Sequence, residues 1–118
     1  MALRYNDISI LENHHIGAAS KVMIQEETAL FENFSTEEFK EVRKKMIEMV
    51  LATDMAKHFT DIAKFKNRST AEDFSPHTGD DKNLCMQIMI HLADLNNATK
   101  PFEVSRLWTG LLYDEFYK

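Results

Sequence analysis

The sequence predicts a single all-α domain, and three observations support that prediction. The chain has 118 residues, which suits one domain and is too short for two. It contains only three glycines and two prolines, whereas sandwiches and barrels need many more turn residues. Apolar residues also recur at steps of three and four, which is the period of an amphipathic helix. Because 44% of the residues are hydrophobic, a disordered chain is excluded.

The first helix is predicted to begin near Ser9. Glu12 follows three residues later, which is the spacing of a capping box, where a hydroxyl and a carboxylate satisfy free backbone N–H groups. Apolar residues then continue at helical steps to about Ile24. His14 and His15 are adjacent and point in different directions on a helix, so we expect at most one of them to face the core.

A second capping box, from Ser35 to Glu38, predicts the start of a longer helix. Its apolar residues fall at steps of three and four, and the pattern runs on to about Phe65 without Gly or Pro. More than thirty residues is long for a helix in a globular protein. We therefore expect a bend or a restart near Thr53 and Asp54.

Two further helices are predicted after a loop at residues 67–80. Asp80 or Asp81 is expected to cap a helix over residues 84–95, and this helix is apolar on nearly all sides, which is typical of a buried one. Pro101 suits the first turn of a final amphipathic helix, where its missing N–H is no loss. That helix is predicted to run from about Phe102 to the end of the chain.

The charge balance and the length of the apolar runs argue against nucleic-acid binding and against a membrane span. Fourteen Lys and Arg against nineteen Asp and Glu give a net charge of -5, and no basic cluster is longer than three residues. Sequence-independent binding of nucleic acid needs a basic face, so we expect none. No apolar run approaches the roughly 20 residues of a membrane span. The single Cys85 cannot form an internal disulfide, which indicates a reducing, cytoplasmic setting.

Two aspartates in apolar company are the first candidates for chemistry. Asp94 lies on the apolar third helix, three residues after His91, and taken alone it is more typical of a structural salt bridge or cap than of a metal ligand. Asp54 precedes His58 by four residues, which predicts a helix-restart cap with a local ion pair. A metal site remains open as an alternative, although no spacing requires its candidate ligands to converge. Those candidates are Glu12, Asp54, His58, His91 and Asp94.

Four stretches of the chain resemble one family, the class I 3′,5′-cyclic-nucleotide phosphodiesterases. They are YNDISILENHH at 5–15, VLATDMAKH at 50–58, HLADLNNATKP at 91–101, and RLWT at 106–109 with DEF at 114–116. Their order and intervals also match, and the resemblance covers essentially the whole chain. Within the family, the sequences of these stretches most resemble those of the cAMP-specific branch. The resemblance implies an all-α fold, a middle section of the helical bundle of the phosphodiesterase catalytic domain.

The resemblance also implies a role for several residues. Asp94 stands at the position of an aspartate that binds zinc, and this replaces the salt-bridge interpretation. The family's metal pair is usually zinc and magnesium bridged by a hydroxide that attacks the cyclic phosphate; two cations lower the pKa of such a water and neutralise the phosphoryl oxygens. Glu12 matches an acid that hydrogen-bonds the bridging solvent or the waters around the magnesium.

The implied substrate residues lie in the second half of the chain. Met55 matches a residue that lines the pocket near the metals, and Asn97 matches a polar residue at its purine end. Thr109, Leu112 and Phe116 match positions along the nucleotide pocket, and their spacing places them on one face of the last helix. For Leu112 and Phe116, ordinary core packing stays open as an alternative. Ser105 stands where related sequences often carry an aromatic residue.

Three parts of the family's site have no counterpart in residues 1–118. These are a His-Asn-x-x-His motif with the general-acid histidine, a metal-binding His-Asp pair, and the glutamine that grips the purine. We therefore expect residues 1–118 to be a partial catalytic domain, inactive alone. The parent enzyme would hydrolyse a cyclic nucleotide in signal transduction, with cAMP, giving AMP, favoured over cGMP. The other hypothesis is a non-catalytic helical interaction module that pairs with a partner or with itself through exposed apolar faces.

Overall fold

A computed structural model describes residues 1–118 as five α-helices and three short 3-10 segments, with no strand. The helices are α1 (Ile10–Met23), α2 (Thr36–Leu51), α3 (His58–Ser69), α4 (Gly79–Asp94) and α5 (Phe102–Phe116). The 3-10 segments are Ala2–Tyr5, Met55–Lys57 and Leu95–Thr99. The predicted all-α class is confirmed.

The capping box predicted at Ser9 and Glu12 is wrong. Ser9 does precede α1, but its backbone is left-handed, with φ of 43°, and its side chain caps nothing. Its hydroxyl donates instead to Oδ2 of Asp54 at 2.6 Å. The side-chain amide of Asn13, in the first turn of α1, donates to the carbonyl oxygens of Ile8 and Ser9. The Ser9 hydroxyl, which the local pattern predicts as the helix cap, is therefore bound to Asp54, 45 positions away along the chain.

The second capping box and the break after it are confirmed. The backbone N–H of Glu38 donates to Oγ of Ser35 at 3.3 Å, and the N–H of Ser35 donates to the Glu38 carboxylate at 2.9 Å. α2 ends at Leu51, and Asp54 caps the Met55–Lys57 turn by accepting from the N–H of Ala56 at 2.9 Å. α3 begins directly after this turn.

α4 begins earlier than predicted, and neither Asp80 nor Asp81 is its N-cap. The N-cap is Thr78, and Gly79 takes a left-handed φ of 56° at the first position of the helix. Asp81 instead accepts two hydrogen bonds from the Arg68 guanidinium, at 2.6 and 2.8 Å, and one from the N–H of Ser75 at 3.0 Å. This bidentate pair joins the end of α3 to the start of α4.

The core is small and centres on α4. Only four residues are buried, and they are Ile16, Leu84, Ile88 and His91. α4 packs against α2 and α3, while α1 packs against α2. The expectation that α4 is buried on all sides is wrong, because Met89 is 69% exposed and Leu92 is also exposed. Cys85, expected in the core, is half-buried.

The molecule is more extended than its length requires. The radius of gyration is 17.1 Å, whereas a compact chain of this length has about 13.5 Å. The accessible surface is 9359 Å², against roughly 6,600 Å² for a folded monomer of this mass. α5 contributes to this excess because it lies against the Leu95–Thr99 turn alone. None of the helices is both long and apolar enough to span a membrane.

Candidate functional site

The break between α2 and α3 is held by a charged aspartate. Asp54 accepts from the hydroxyl of Ser9 and from the backbone N–H of Ala56, at 2.6 and 2.9 Å. These two bonds, with a smaller contribution from the charge of Lys57, hold the pKa of the Asp54 carboxyl below its usual range. The ion pair predicted between Asp54 and His58 is absent, because His58 turns to another partner.

That partner is His91, and together the two rings join three helices. Nδ1 of His58 lies 2.7 Å from Nε2 of His91, and Nδ1 of His91 lies 2.9 Å from the carbonyl oxygen of Ala52. A carbonyl oxygen only accepts, so Nδ1 of His91 carries the proton and its Nε2 accepts from Nδ1–H of His58. His91 is only 2% exposed. The pair fixes the end of α2 and the start of α3 against α4.

An open groove of ≈ 300 Å³ lies where α4, the Leu95–Thr99 turn and α5 meet. Its lining includes Asp94, Asn97 and Leu112, so the structure brings together three of the residues singled out in the sequence. Oδ1 of Asn97 is buried and has no hydrogen-bond partner. We call this the Asp94 groove. An unpaired acceptor in a groove beside an exposed carboxylate is an arrangement suited to a polar ligand.

The local sequence explains how the chain turns at the Asp94 groove. α4 ends at Asp94 and continues into a tight 3-10 turn, in which the hydroxyl of Thr99 donates to the carbonyl of Asn96 at 2.9 Å. Pro101 then occupies the N-cap of α5, one position before its predicted place in the first turn. Lys100 reaches over the Trp108 ring, with Nζ 5.3 Å from the centroid, and so links the turn to α5.

The other predicted site residues lie outside the Asp94 groove. Glu12 is half-buried in the first turn of α1, and Met55 is exposed beside Asp54. On α5, Thr109 is half-buried and its hydroxyl donates to the carbonyl of Ser105 at 2.9 Å, while Phe116 is exposed. Leu112 and Phe116 are both exposed within these 118 residues.

The separate metal site considered above does not form. No three His, Cys, Asp or Glu side chains come close enough to hold a cation. Nδ1 of His58 and both ring nitrogens of His91 are already hydrogen-bonded to each other and to Ala52. Asp94 is an exposed carboxylate. It could supply one ligand, but the residues of this chain alone do not form a site for two metal ions.

Sequence reasoning missed the two tertiary clusters. Helical spacing pairs His58 with Asp54 and gives no partner for His91. The actual bond joins residues 33 positions apart, and a single sequence contains no signal for that pairing. The Arg68–Asp81 pair was missed for the same reason.

Known proteins with a similar sequence share one description. The profile of the 3′5′-cyclic nucleotide phosphodiesterase family matches residues 1–118. The chain is 37% identical over 117 residues to the high affinity cGMP-specific 3′,5′-cyclic phosphodiesterase 9A of Homo sapiens. It is 39% identical over 117 residues to a dual specificity calcium/calmodulin-dependent 3′,5′-cyclic nucleotide phosphodiesterase 1B of Bos taurus.

The fold has a close structural relative as well. The phosphodiesterase domain of a rhodopsin fusion protein from the choanoflagellate Salpingoeca rosetta superposes with a TM-score of 0.87 at 36% identity. The match covers 98% of this chain and 37% of that domain. The two curated relatives are matched over 99% of this chain but over only 19% and 21% of their own lengths.

Proposed function

The chain belongs to the 3′,5′-cyclic nucleotide phosphodiesterase family, and on this premise we propose that the whole protein hydrolyses a 3′,5′-cyclic nucleotide. The observation that carries the proposal is the family match over residues 1–118. The Asp94 groove agrees with it, because three residues to which the resemblance gives metal- and nucleotide-binding roles line the same groove.

We propose that the Asp94 groove is one wall of the nucleotide site. In this proposal Asn97 contacts the purine, and a hydrogen bond from a purine N–H to its Oδ1 would satisfy an acceptor that now has no partner. Leu112 supplies apolar surface to the same groove. Thr109 and Phe116 on α5, and Met55 beside Asp54, are proposed as further substrate contacts.

In the whole protein, Asp94 would supply one ligand to a zinc and magnesium pair, and Glu12 would hydrogen-bond solvent near these ions. Two such ions activate water and neutralise phosphoryl charge. The donors of residues 1–118 do not fit this metal pair by themselves. We therefore propose that the other ligands lie in the rest of the protein and that the 118-residue chain alone is inactive.

We propose cAMP as the preferred substrate, because the residues of the four motifs most resemble those of the cAMP-specific branch. One of the two relatives is described as cGMP-specific and the other as having dual specificity, so cGMP is the competing substrate. The two nucleotides differ in the donors and acceptors of the purine edge. In this proposal Asn97 is the residue of this chain that distinguishes the two bases.

Steady-state hydrolysis by the whole protein tests the proposal. The assay compares 3′,5′-cAMP and 3′,5′-cGMP, with 2′,3′-cyclic AMP as the matched control substrate and EDTA as the metal-removal control. We expect hydrolysis of a 3′,5′-cyclic nucleotide that EDTA abolishes and added Zn²⁺ and Mg²⁺ restore, with a higher kcat/KM for cAMP. Failure to hydrolyse either 3′,5′-cyclic nucleotide refutes the function, while a higher kcat/KM for cGMP refutes only the choice of base.

A further inference from the structure

The chain contains the same capping-box pattern twice, and only one of the two boxes is closed. At the start of α2, the side chains of Ser35 and Glu38 each accept from the backbone N–H of the other, so the Glu38 carboxylate is occupied. Ser9 and Glu12 have the same spacing at the start of α1, yet the Ser9 side chain does not cap that helix. The Glu12 carboxylate, which a closed box would bind to the N–H of Ser9, is therefore free of the box.

The contact that keeps the first box open is the hydrogen bond from Ser9 to Asp54. Oγ of Ser9 donates to Oδ2 of Asp54 at 2.6 Å, and Nζ of Lys57 donates to the same Oγ at 3.3 Å. Oδ1 of Asp54 accepts from the N–H of Ala56 at 2.9 Å, which fixes the orientation of the carboxylate. The Ser9 hydroxyl is therefore occupied, as donor and as acceptor, by the turn between α2 and α3.

The backbone before α1 has an unusual conformation that accompanies this contact. Asn6, Asp7 and Ser9 all have left-handed φ, at 52°, 60° and 43°. Residues other than glycine rarely adopt this conformation and keep it only where surrounding contacts fix it. The N-cap of the closed box is extended instead, since Ser35 has φ of -63° and ψ of 162°. The contact therefore holds the start of α1 in a shape in which Glu12 does not complete its box.

We propose that Asp54 is a positioning residue for hydrolysis: by binding the Ser9 hydroxyl, it keeps the Glu12 carboxylate out of the capping box and available to solvent near the metal ions. This inference rests on the proposed function and deepens it, because it identifies the contact that leaves Glu12 free for its proposed role. Asp54 acts through Ser9 and Glu12 and does not itself touch the reacting atoms. All three residues are half-buried, so the inference uses none of the uncovered helix faces.

The amide proton of Ser9 tests the structural part of the proposal without any measurement of activity. An amide proton that is bonded to a carboxylate changes its chemical shift when the carboxylate is protonated, and NMR of the protein with isotope-labelled serine follows this change with pH. The amide of Ser35, bonded to Glu38, is the internal reference in every spectrum. We expect the Ser9 amide to follow a carboxyl titration in Asp54→Ala but not in the natural protein, and Glu12→Gln to abolish that response. A Ser9 amide that does not respond in Asp54→Ala would overturn the proposal.

Steady-state hydrolysis by the whole protein tests the consequence for Glu12. Asp54→Ala removes the acceptor, while Ser9→Ala removes the hydroxyl and leaves Asp54 able to cap the Met55–Lys57 turn. We expect either variant to lower kcat about tenfold and to leave KM within about twofold, because a displaced acid affects the solvent near the ions and not the binding of the nucleotide. The matched control is Ser35→Ala, which removes the hydroxyl of the closed box and should leave kcat unchanged.

Combined variants show whether Asp54 acts through Glu12. In a Glu12→Gln background the carboxylate is already absent, so Ser9→Ala and Asp54→Ala should cause no further loss of kcat, whereas independent effects would multiply. A natural kcat in both single variants, or an undiminished loss in the Glu12→Gln background, would overturn the positioning role alone. Absence of hydrolysis by the natural protein would overturn the proposed function and this role together.

Discussion

His91 is the residue on which the packing of this chain most depends. It is the only fully buried polar side chain, and both of its ring nitrogens are hydrogen-bonded. Through them it connects Ala52 at the end of α2 with His58 at the start of α3. Because α4 also ends in Asp94, the same contact orients the helix that leads into the Asp94 groove. We infer that His91 has a structural role in supporting the site.

Replacing His91 by phenylalanine should lower the free energy of unfolding by about 2–4 kcal/mol, because it leaves the Ala52 carbonyl and Nδ1 of His58 without their partner. Urea denaturation at one fixed protein concentration measures the change. The matched control is His77→Phe, since His77 is exposed in the loop before α4. Equal stability of the two variants would contradict the role given to His91.

A second residue-scale prediction concerns acid. Hydrogen bonds from Arg68, and then from the N–H of Ser75, hold the pKa of the Asp81 carboxyl below its usual range. A carboxyl with a lowered pKa in the folded state contributes stability above its unfolded pKa and loses that contribution as pH falls through its folded pKa. The free energy of unfolding should therefore decrease as the pH falls below about 5 and should go on decreasing until Asp81 is protonated in the folded state.

Asp81→Asn identifies the part of this pH dependence that Asp81 provides. The variant should be less stable than the natural chain at neutral pH and should approach it in stability as the pH falls. Asp80→Asn removes an equal charge one position away from the pair with Arg68 and serves as the control. Urea denaturation across the pH range measures both; identical pH profiles for the two variants would refute the assignment.

At the scale of the elements, sequence spacing predicts the helix ends that are fixed by contacts between residues close together in the chain. The Ser35–Glu38 capping box and the break near Asp54 arise within four residues, and both were predicted from spacing. Ser9 and Asp81 also stand where caps are common, yet each is bound to a residue far away along the chain or in the preceding helix. Their predicted caps failed because a tertiary partner took the same side chain.

The cap of α2 offers a direct test of an element. Ser35→Ala removes the acceptor of the Glu38 N–H and should lower the free energy of unfolding by about 1 kcal/mol. Thr36→Ala, at the neighbouring exposed position, keeps the cap and is the matched control. Thermal unfolding monitored by circular dichroism compares them. A Ser35→Ala variant as stable as the control would show that α2 does not depend on its cap.

At the scale of the whole molecule, the sequence was enough to predict the family and the helical class. It was not enough to predict which faces of the helices are buried against other helices. Asp94 and Asn97 are three positions apart, so their proximity in the Asp94 groove follows from the chain itself. The apolar pattern of α4 suggested burial on all sides, but the structure leaves Met89 and Leu92 exposed. Periodicity shows which face of a helix is apolar and does not show what packs against it.

The central claim is that Asp94 belongs to the hydrolytic site of a cyclic nucleotide phosphodiesterase. The direct measurement is kcat for hydrolysis of cAMP and cGMP by the whole protein carrying Asp94→Asn, beside Asp114→Asn, which changes an exposed aspartate on α5. The account predicts a loss of at least about 100-fold for Asp94→Asn and an unchanged kcat for Asp114→Asn. A kcat for Asp94→Asn within twofold of the natural protein would contradict it.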